Sequence, residues 1–291
     1  MKKVLIIGKN SYIGRQFIRH VQGDMLVEEV DSFDGKWKEA DFSKFDTVLH
    51  LAGIAHVSRD PKMEDEYYKI NRDLALEVAT YAKEKGVKQF IFMSSMIIYG
   101  ADGKVGKSKN IVTGEEYAPV DFYGKSKLEA DLALQDMKTD TFKPVIVRTP
   151  MVYGENCKGN FPLLVKASKK IPLFPNIKNE RSMIYVGNLA EFFKLVIENE
   201  AEGVFYPQNT EYVSTGKVVK DMATLQGRKL WSTGIFNPML KLCSFIGFIN
   251  KVFGNKTYDK SLSNAFNGEY NIYTYEESLK RTLELDNIEN K

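Results

Sequence analysis

The sequence predicts an α/β protein: a doubly wound parallel sheet with a smaller α+β lobe toward its C-terminal end. Three observations carry that reading. Through roughly the first 150 residues, short β-branched runs alternate with longer amphipathic stretches, the rhythm of strand and helix in a parallel sheet. The runs, such as Phe90-Ile91-Phe92-Met93, are apolar throughout, as expected of strands covered by helices on both faces. After about Tyr153 the rhythm breaks, with Pro162, Pro172, Pro175, Pro207 and Pro238 among shorter apolar runs.

Each element follows from its own pattern. Lys3 to Ile7 reads as a strand, Tyr12 to Val21 as a helix, and Leu26 to Val30 and Thr47 to Leu51 as further strands. Glu64 to Glu84 has helical spacing in Tyr67, Ile70, Leu74, Val78 and Tyr81, and Gly86 follows where a C-cap glycine belongs. Gln89 to Met93 is the next strand, Tyr123 to Met137 a helix, and Pro144 to Arg148 a buried strand. Phe236 to Phe253 is the most apolar late stretch. Pro238, Lys241, Gly247 and Lys251 interrupt it, so it reads as a core or substrate-lid helix and not as one lying on a membrane.

Composition narrows the function. With 43% hydrophobic and 27% charged residues the chain is globular, neither disordered nor fibrous. A net charge of +3, from 41 Lys+Arg against 38 Asp+Glu, does not call for nucleic acid or a membrane as partner, so a small molecule is expected. Cys157 and Cys243 lack the spacing of a zinc or redox motif and read as reduced thiols, and His20, His50 and His56 form no ligand pattern, so no metal is assigned. The apolar start Val4 to Ile7 stops at Gly8, too short for a signal core or a membrane span, which makes the cytoplasm the expected compartment.

Gly8-Lys9-Asn10-Ser11-Tyr12-Ile13-Gly14 falls where the first strand hands over to the first helix. Such a turn lets a dinucleotide pyrophosphate approach the backbone at the positive end of a helix. Ser11 stands where the fingerprint has its middle glycine, and a plain strand-turn-helix junction accounts for the segment equally well. Asp31, just past the second strand, is placed to grip an adenosine ribose, or simply to start a turn. Lys9 would favour a 2′-phosphate, which leaves NAD(H) and NADP(H) both open. Asp41-Phe42, expected after the third short strand, would cap the adenine ring or a helix.

Tyr123 and Lys127 are four residues apart on a helix, so phenol and ammonium share a face with Cβ atoms roughly 5–6 Å apart. A neighbouring ammonium favours phenolate and would pull the tyrosine pKa down from about 10, making Tyr123 an acid or base. Ser94-Ser95 begins where the strand ending at Met93 stops, the edge at which open α/β sheets bind ligands. A hydroxyl there can hold a substrate oxygen as charge develops on it, although a turn cap is the rival use of Ser95.

With these residues the chain resembles the extended short-chain dehydrogenase/reductase superfamily, in its NAD-dependent epimerase/dehydratase branch that acts on nucleotide sugars. The landmarks are the glycine turn, Leu51-Ala52-Gly53, Asn71, Ser95 four residues before Tyr99, Tyr123 with Lys127, Val147-Arg148, Val152-Tyr153-Gly154 and Arg181 to Val186. The resemblance implies a Rossmann-type sheet: a cofactor domain over 1–153 with about 183–209, and a substrate lobe over 154–182 and 210–291. It implies cofactor contacts at Gly8, Asn10, Ser11, Tyr12, Ile13, Gly14, Asp31, Asp41, Phe42, Leu51, Ala52, Gly53, Asn71, Tyr123 and Lys127. Ser95 would hold the sugar C4 oxygen, Tyr123 would pass the proton, and Lys127 would bind the nicotinamide ribose. Asn160 and Arg181 would contact the diphosphate, unless they serve as a turn residue and a salt bridge.

Three departures qualify the match. Met151 stands where many sugar epimerases carry asparagine, the interval before the middle strand is short, and only Lys251 or Lys256 could replace a second phosphate-binding arginine. The resemblance therefore implies hydride transfer at C4 of a nucleotide-diphosphate sugar. The short chain and the Gly-Lys turn lean toward a 4-ketoreductase acting on a 4-keto-6-deoxyhexose or HexNAc; a 4-epimerase is the alternative. A non-catalytic dinucleotide sensor would be expected to have lost part of the Ser, Tyr, Lys set, which is intact. The resemblance leaves a homodimer open.

Overall fold

The computed structural model describes residues 1–55 and 60–286, so His56 lies outside the described residues. The chain runs through β1 (Lys3–Ile7), α1 (Tyr12–His20), β2 (Leu26–Val30), β3 (Thr47–His50), α2 (Glu64–Tyr68), α3 (Leu74–Glu84), β4 (Gln89–Ser95), β5 (Asn110–Ile111), α4 (Phe122–Asp136), β6 (Lys143–Thr149) and β7 (Met151–Tyr153). It continues through α5 (Phe161–Lys170), β8 (Leu173–Pro175), β9 (Met183–Tyr185), α6 (Val186–Glu198), β10 (Gly203–Phe205) and α7 (Thr215–Leu225). Last come β11 (Trp231–Thr233), α8 (Asn237–Leu242), α9 (Gly247–Phe253), β12 (Thr257–Tyr258) and α10 (Tyr275–Asp286).

Six strands make one parallel sheet in the order β10-β6-β4-β3-β1-β2. The chain moves outward from β1 to β2, then returns to the other side of β1 to lay down β3. That reversal opens a crevice at the C-terminal ends of β1 and β3, where such sheets bind ligands. Period-two alternation sends Leu5, Ile7, Val48, Phe90 and Phe92 to one face, against α3 and α4. Ile6, Leu49 and Ile91 go to the other, against Phe17 of α1 and Phe192 and Phe193 of α6. Both faces are buried, which is why the strands read as unbroken apolar runs.

The expected single helix over 64–84 is instead α2 and α3 joined by a π turn at Lys69–Asp73. The turn carries Asn71, which is fully buried. Gly86 does end the helix, at φ +79°. Beyond β6 the remaining pairings are short: β7 with β9, β8 with β11, and β5 with β12. They frame a second core of Tyr153, Phe161, Met183, Tyr185, Met222 and Leu279.

The late apolar stretch is neither core nor a single helix. Pro238 and Gly247 divide it into α8 and α9, six and seven residues long, and neither buries a residue. Helices of two turns or fewer cannot offer a continuous core-facing stripe. Only the end of the stretch reaches the interior, where the Phe253 ring lies 5.8 Å from that of Phe174.

Candidate active site

The glycine turn sits at the mouth of the crevice. Gly8 adopts φ +116°, and a Cβ there would meet the Ala52 nitrogen at 2.9 Å, so backbone conformation and close approach both demand glycine. Ser11 replaces the middle glycine by acting as the N-cap of α1, its Oγ accepting from Gly14 N at 3.1 Å. A Cβ on Gly14 would come within 2.6 Å of that oxygen. The N–H groups of Tyr12 and Ile13 open the helix, where geometry leaves them without intrahelical acceptors. Asn10, at φ +60°, donates its own N–H to Glu29 Oε1 at 3.2 Å.

The other residues expected on the cofactor side divide. Asp31 follows β2 and accepts from Phe33 N at 3.1 Å, shaping its own turn. Asp41 is exposed, and hydrogen bonds from Ser43 and Lys44 hold its carboxyl below the usual carboxylate range. Asp41-Phe42 precedes the third strand and does not follow it. The Phe42 ring is core, edge-on to Tyr81 at 5.0 Å and Trp37 at 6.0 Å, so that ring is not available to cover a base. The Tyr12 phenol likewise points away from the turn: a Cβ on Gly154 would meet its oxygen at 2.8 Å, and burial raises its pKa.

Leu51 and Ala52 donate to the Ile7 carbonyl, both at 2.9 Å, which ties the loop after β3 to the end of β1. Asn71 clamps the same loop: its Oδ1 accepts from Ile54 N at 2.9 Å and its Nδ2 donates to Ile54 O at 3.0 Å. A Cβ on Gly53 would lie 3.0 Å from Asn71 Oδ1 and 3.4 Å from Lys127 Nζ. Asn71 thus shapes the wall of the crevice from within.

Ser95 ends β4, where its Oγ accepts from Ile97 N at 3.2 Å and caps the following turn, and Tyr123 sits in the first turn of α4, near enough for Ser95 to favour its phenolate. Burial pushes the Tyr123 phenol up to about 12, partly offset by the nearby Ser95 hydroxyl. The expected depression by Lys127 is absent, because its Nζ donates to the Met93 carbonyl at 2.9 Å and lies 4.5 Å over the Phe92 ring. A shared helix face brought the two Cβ atoms together, but the long lysine stem carries its charge to the strand end. Burial lowers the Lys127 ammonium to about 8, and Lys127 in turn helps burial hold His50 neutral, down to about 3. Neither ring nitrogen of His50 has a hydrogen-bond partner.

Arg181 precedes β9 and is buried, donating to Gly254 O at 3.1 Å and pairing with Asp102 at 3.4 Å. Lys256 bridges to it through the backbone and donates Nζ to Gly100 O at 2.5 Å. Burial leads in lowering Lys256 to about 8, with the charges of Lys109 and Arg181 adding to it. Lys251, the other stand-in for a second phosphate-binding cation, is exposed on α9 instead. Asn160 is exposed before α5 and caps nothing with its side chain.

The model of the NAD-dependent epimerase/dehydratase family matches residues 4–206. The chain belongs to that family. Its members are NAD-dependent enzymes of nucleotide-sugar epimerisation and reduction. The chain is 30% identical to a UDP-glucose 4-epimerase of Vibrio cholerae, over 95% of this chain and 88% of that one. It is 26% identical to the N-acetyl-α-D-glucosaminyl-diphospho-ditrans,octacis-undecaprenol 4-epimerase of Escherichia coli O157:H7, over 87% and 81%. A dTDP-4-dehydrorhamnose reductase from Clostridium acetobutylicum shares the fold, with a TM-score of 0.73 at 20% identity over 98% and 99%.

For this member of the epimerase/dehydratase family, the crevice fits the dinucleotide. The glycine-lined approach to Ala52 and the first-turn N–H groups of α1 form a cradle suited to a pyrophosphate. The sequence missed what stiffens the floor. Arg148 Nε and Nη2 grip Asp131 at 2.9 and 2.7 Å, and Ser94 Oγ donates to the same carboxylate at 2.5 Å. Arg148 also donates to the hydroxyls of Tyr99, Tyr117 and Tyr206 at 2.7 to 2.9 Å. This network joins the strand end carrying Ser95 to α4 through Asp131, to Tyr117, and to Tyr206 just past β10. In the sequence Arg148 and Tyr99 stand out only as separate landmarks, with nothing to pair either with Asp131.

Proposed function

We propose that this chain carries out nicotinamide-dependent oxidoreduction at C4 of a diphosphate-linked sugar, and that its net reaction is 4-epimerisation. The observation that carries the chemistry is the placement of the Ser95 hydroxyl, at the C-terminal end of the central strand β4, near enough to the buried Tyr123 phenol to favour its ionised form. A bound nicotinamide supplies the hydride acceptor and donor. Ser95 holds the sugar oxygen, and Tyr123 moves the proton between that oxygen and its own. With its pKa raised to about 12, Tyr123 is a proton donor at neutral pH, ready for the reductive half. The oxidative half needs the phenolate, which the Ser95 hydroxyl beside it favours. Lys127, held on the Met93 carbonyl beside Gly53, is placed for the ribose. Arg181 meets the diphosphate, exchanging its Asp102 contact for phosphate oxygens.

Epimerisation is supported by the two relatives, both of which act at C4 of a sugar carried on a diphosphate. The second reading, a 4-ketoreductase, draws on the lysine after Gly8. Incubating purified protein with UDP-glucose, UDP-N-acetylglucosamine and their C4 epimers decides between them. Interconversion with no net cofactor consumption is expected. Stoichiometric use of NADH or NADPH with a 4-keto-6-deoxy sugar nucleotide, and no interconversion, establishes the reductase.

A further inference from the structure

The stretch from Trp231 to Phe253 turns its apolar side chains outward. Trp231, Ile235, Met239, Leu242, Phe245 and Phe248 are between 56 and 81% exposed. Single exposed apolar residues need no explanation, but six in one short run form a patch of the kind that marks an interaction site. The run is held in place. Asn237 Nδ2 donates to Asn176 O at 2.9 Å, Asn250 Nδ2 to Ser244 O at 2.6 Å, and Asn250 Oδ1 accepts from Val105 N at 3.3 Å.

This segment and the chain around its strand partner β8 carry charge of one sign. Residues 227–255 contain Arg228, Lys229, Lys241 and Lys251 and neither Asp nor Glu. Residues 156–179 contain Lys158, Lys166, Lys169, Lys170 and Lys178, again with no acidic residue. The two segments are joined by the β8 and β11 pairing, which sets Leu173 beside Trp231. The chain has 38 acidic residues, so their absence from both segments is a local feature. A second copy of the chain docking face to face would oppose these cations to one another, which disfavours self-association here.

We propose that the Trp231 to Phe253 segment docks this protein onto an anionic phospholipid surface, lying in the interface with its apolar side chains among the upper acyl chains. Lysines of these two stretches of chain then meet lipid phosphates. The attachment is interfacial: no helix among the described residues is long and apolar enough to cross a membrane. The segment's root also touches the site, since Gly254 O accepts from Arg181 and Asn255 O from Gly103 N. Docking therefore sets the sugar-diphosphate site beside the bilayer; this clause alone rests on the reading of Arg181 above.

The test is co-sedimentation of the full-length protein with vesicles of phosphatidylcholine alone or mixed with phosphatidylglycerol. Binding to the mixed vesicles is expected to be about tenfold or more stronger, and to fall with added salt. The double substitution Leu242→Glu with Phe245→Glu is expected to leave the protein in the supernatant, with an unchanged circular-dichroism spectrum and unchanged NAD-induced rise in Tm. Three results overturn the proposal: wild type that ignores phosphatidylglycerol, a variant that still sediments, or a wild-type dimer that the variant dissolves. Turnover retained by Tyr123→Phe would sink the reaction reading and leave vesicle binding untouched, so the two fail separately.

Discussion

Tyr123 and Ser95 are the residues on which the chemistry turns. Replacing Tyr123 by Phe removes the proton carrier and keeps the ring that packs 5.9 Å from Tyr67. Turnover is expected to fall by about 10²–10⁴-fold, with cofactor binding retained in a thermal-shift assay. Ser95→Ala is expected to cost about 10²-fold in kcat, and to raise the Tyr123 pKa further because the hydroxyl that lowers it is gone. His50 gives the residue scale its own pH dependence. The unfolded chain binds a proton below about 6.5, whereas the folded protein refuses it until about 3. Stability is therefore present above pH 6.5 and lost progressively as pH falls toward 3, by up to a few kcal/mol. His50 lies between Phe90 and Phe92, and His50→Phe is expected to flatten this acid limb in urea titrations across that range.

Among the elements, α4 and β6 are joined by the buried Asp131 and Arg148 pair. Asp131→Asn leaves the guanidinium without its counter-charge and is expected to destabilise by about 3–5 kcal/mol in chemical denaturation. The combined Asp131→Leu and Arg148→Met change is expected to recover part of that loss, because no lone charge remains buried. Neither partner could be read from the sequence as half of a pair: the sheet brings them together, and each looks ordinary on its own element. Lys256 and Arg181 meet in the same way, through a backbone bridge between distant segments. By contrast Gly8, Ser95, Tyr123 and Lys127 could be singled out from local spacing, and the structure sets Gly8 against Ala52 and Ser95 at the end of β4 while carrying the Lys127 ammonium away from Tyr123 to the Met93 carbonyl. The π turn at Lys69–Asp73 was hidden, since Tyr67, Ile70, Leu74, Val78 and Tyr81 keep an apparent helical period across it. The stretch holding α8 and α9 departs from the core or lid helix expected of it because apolar composition does not tell which way a side chain faces.

At the scale of the whole molecule, cofactor and fold are linked. NAD at a hundredfold excess over its Kd is expected to add about 2.7 kcal/mol to the native state, read as a rise in Tm. Asp31 and Glu29 set two carboxylates beside the glycine turn, so NAD is expected to raise Tm more than NADP at equal concentration, and Asp31→Asn to narrow the gap. The sheet is also closed late. One of its faces is covered by Phe192 and Phe193 of α6, and Tyr270 completes that cluster. A chain cut after residue 182 would lack all three and is expected to bind a hydrophobic dye and to lose its near-ultraviolet circular dichroism. During synthesis Val4 and Ile6 leave the ribosome long before Phe193 and Tyr270 of the same cluster, so the nascent chain must carry its β1 with that face of the sheet unfinished until α6 and the segment around Tyr270 have followed.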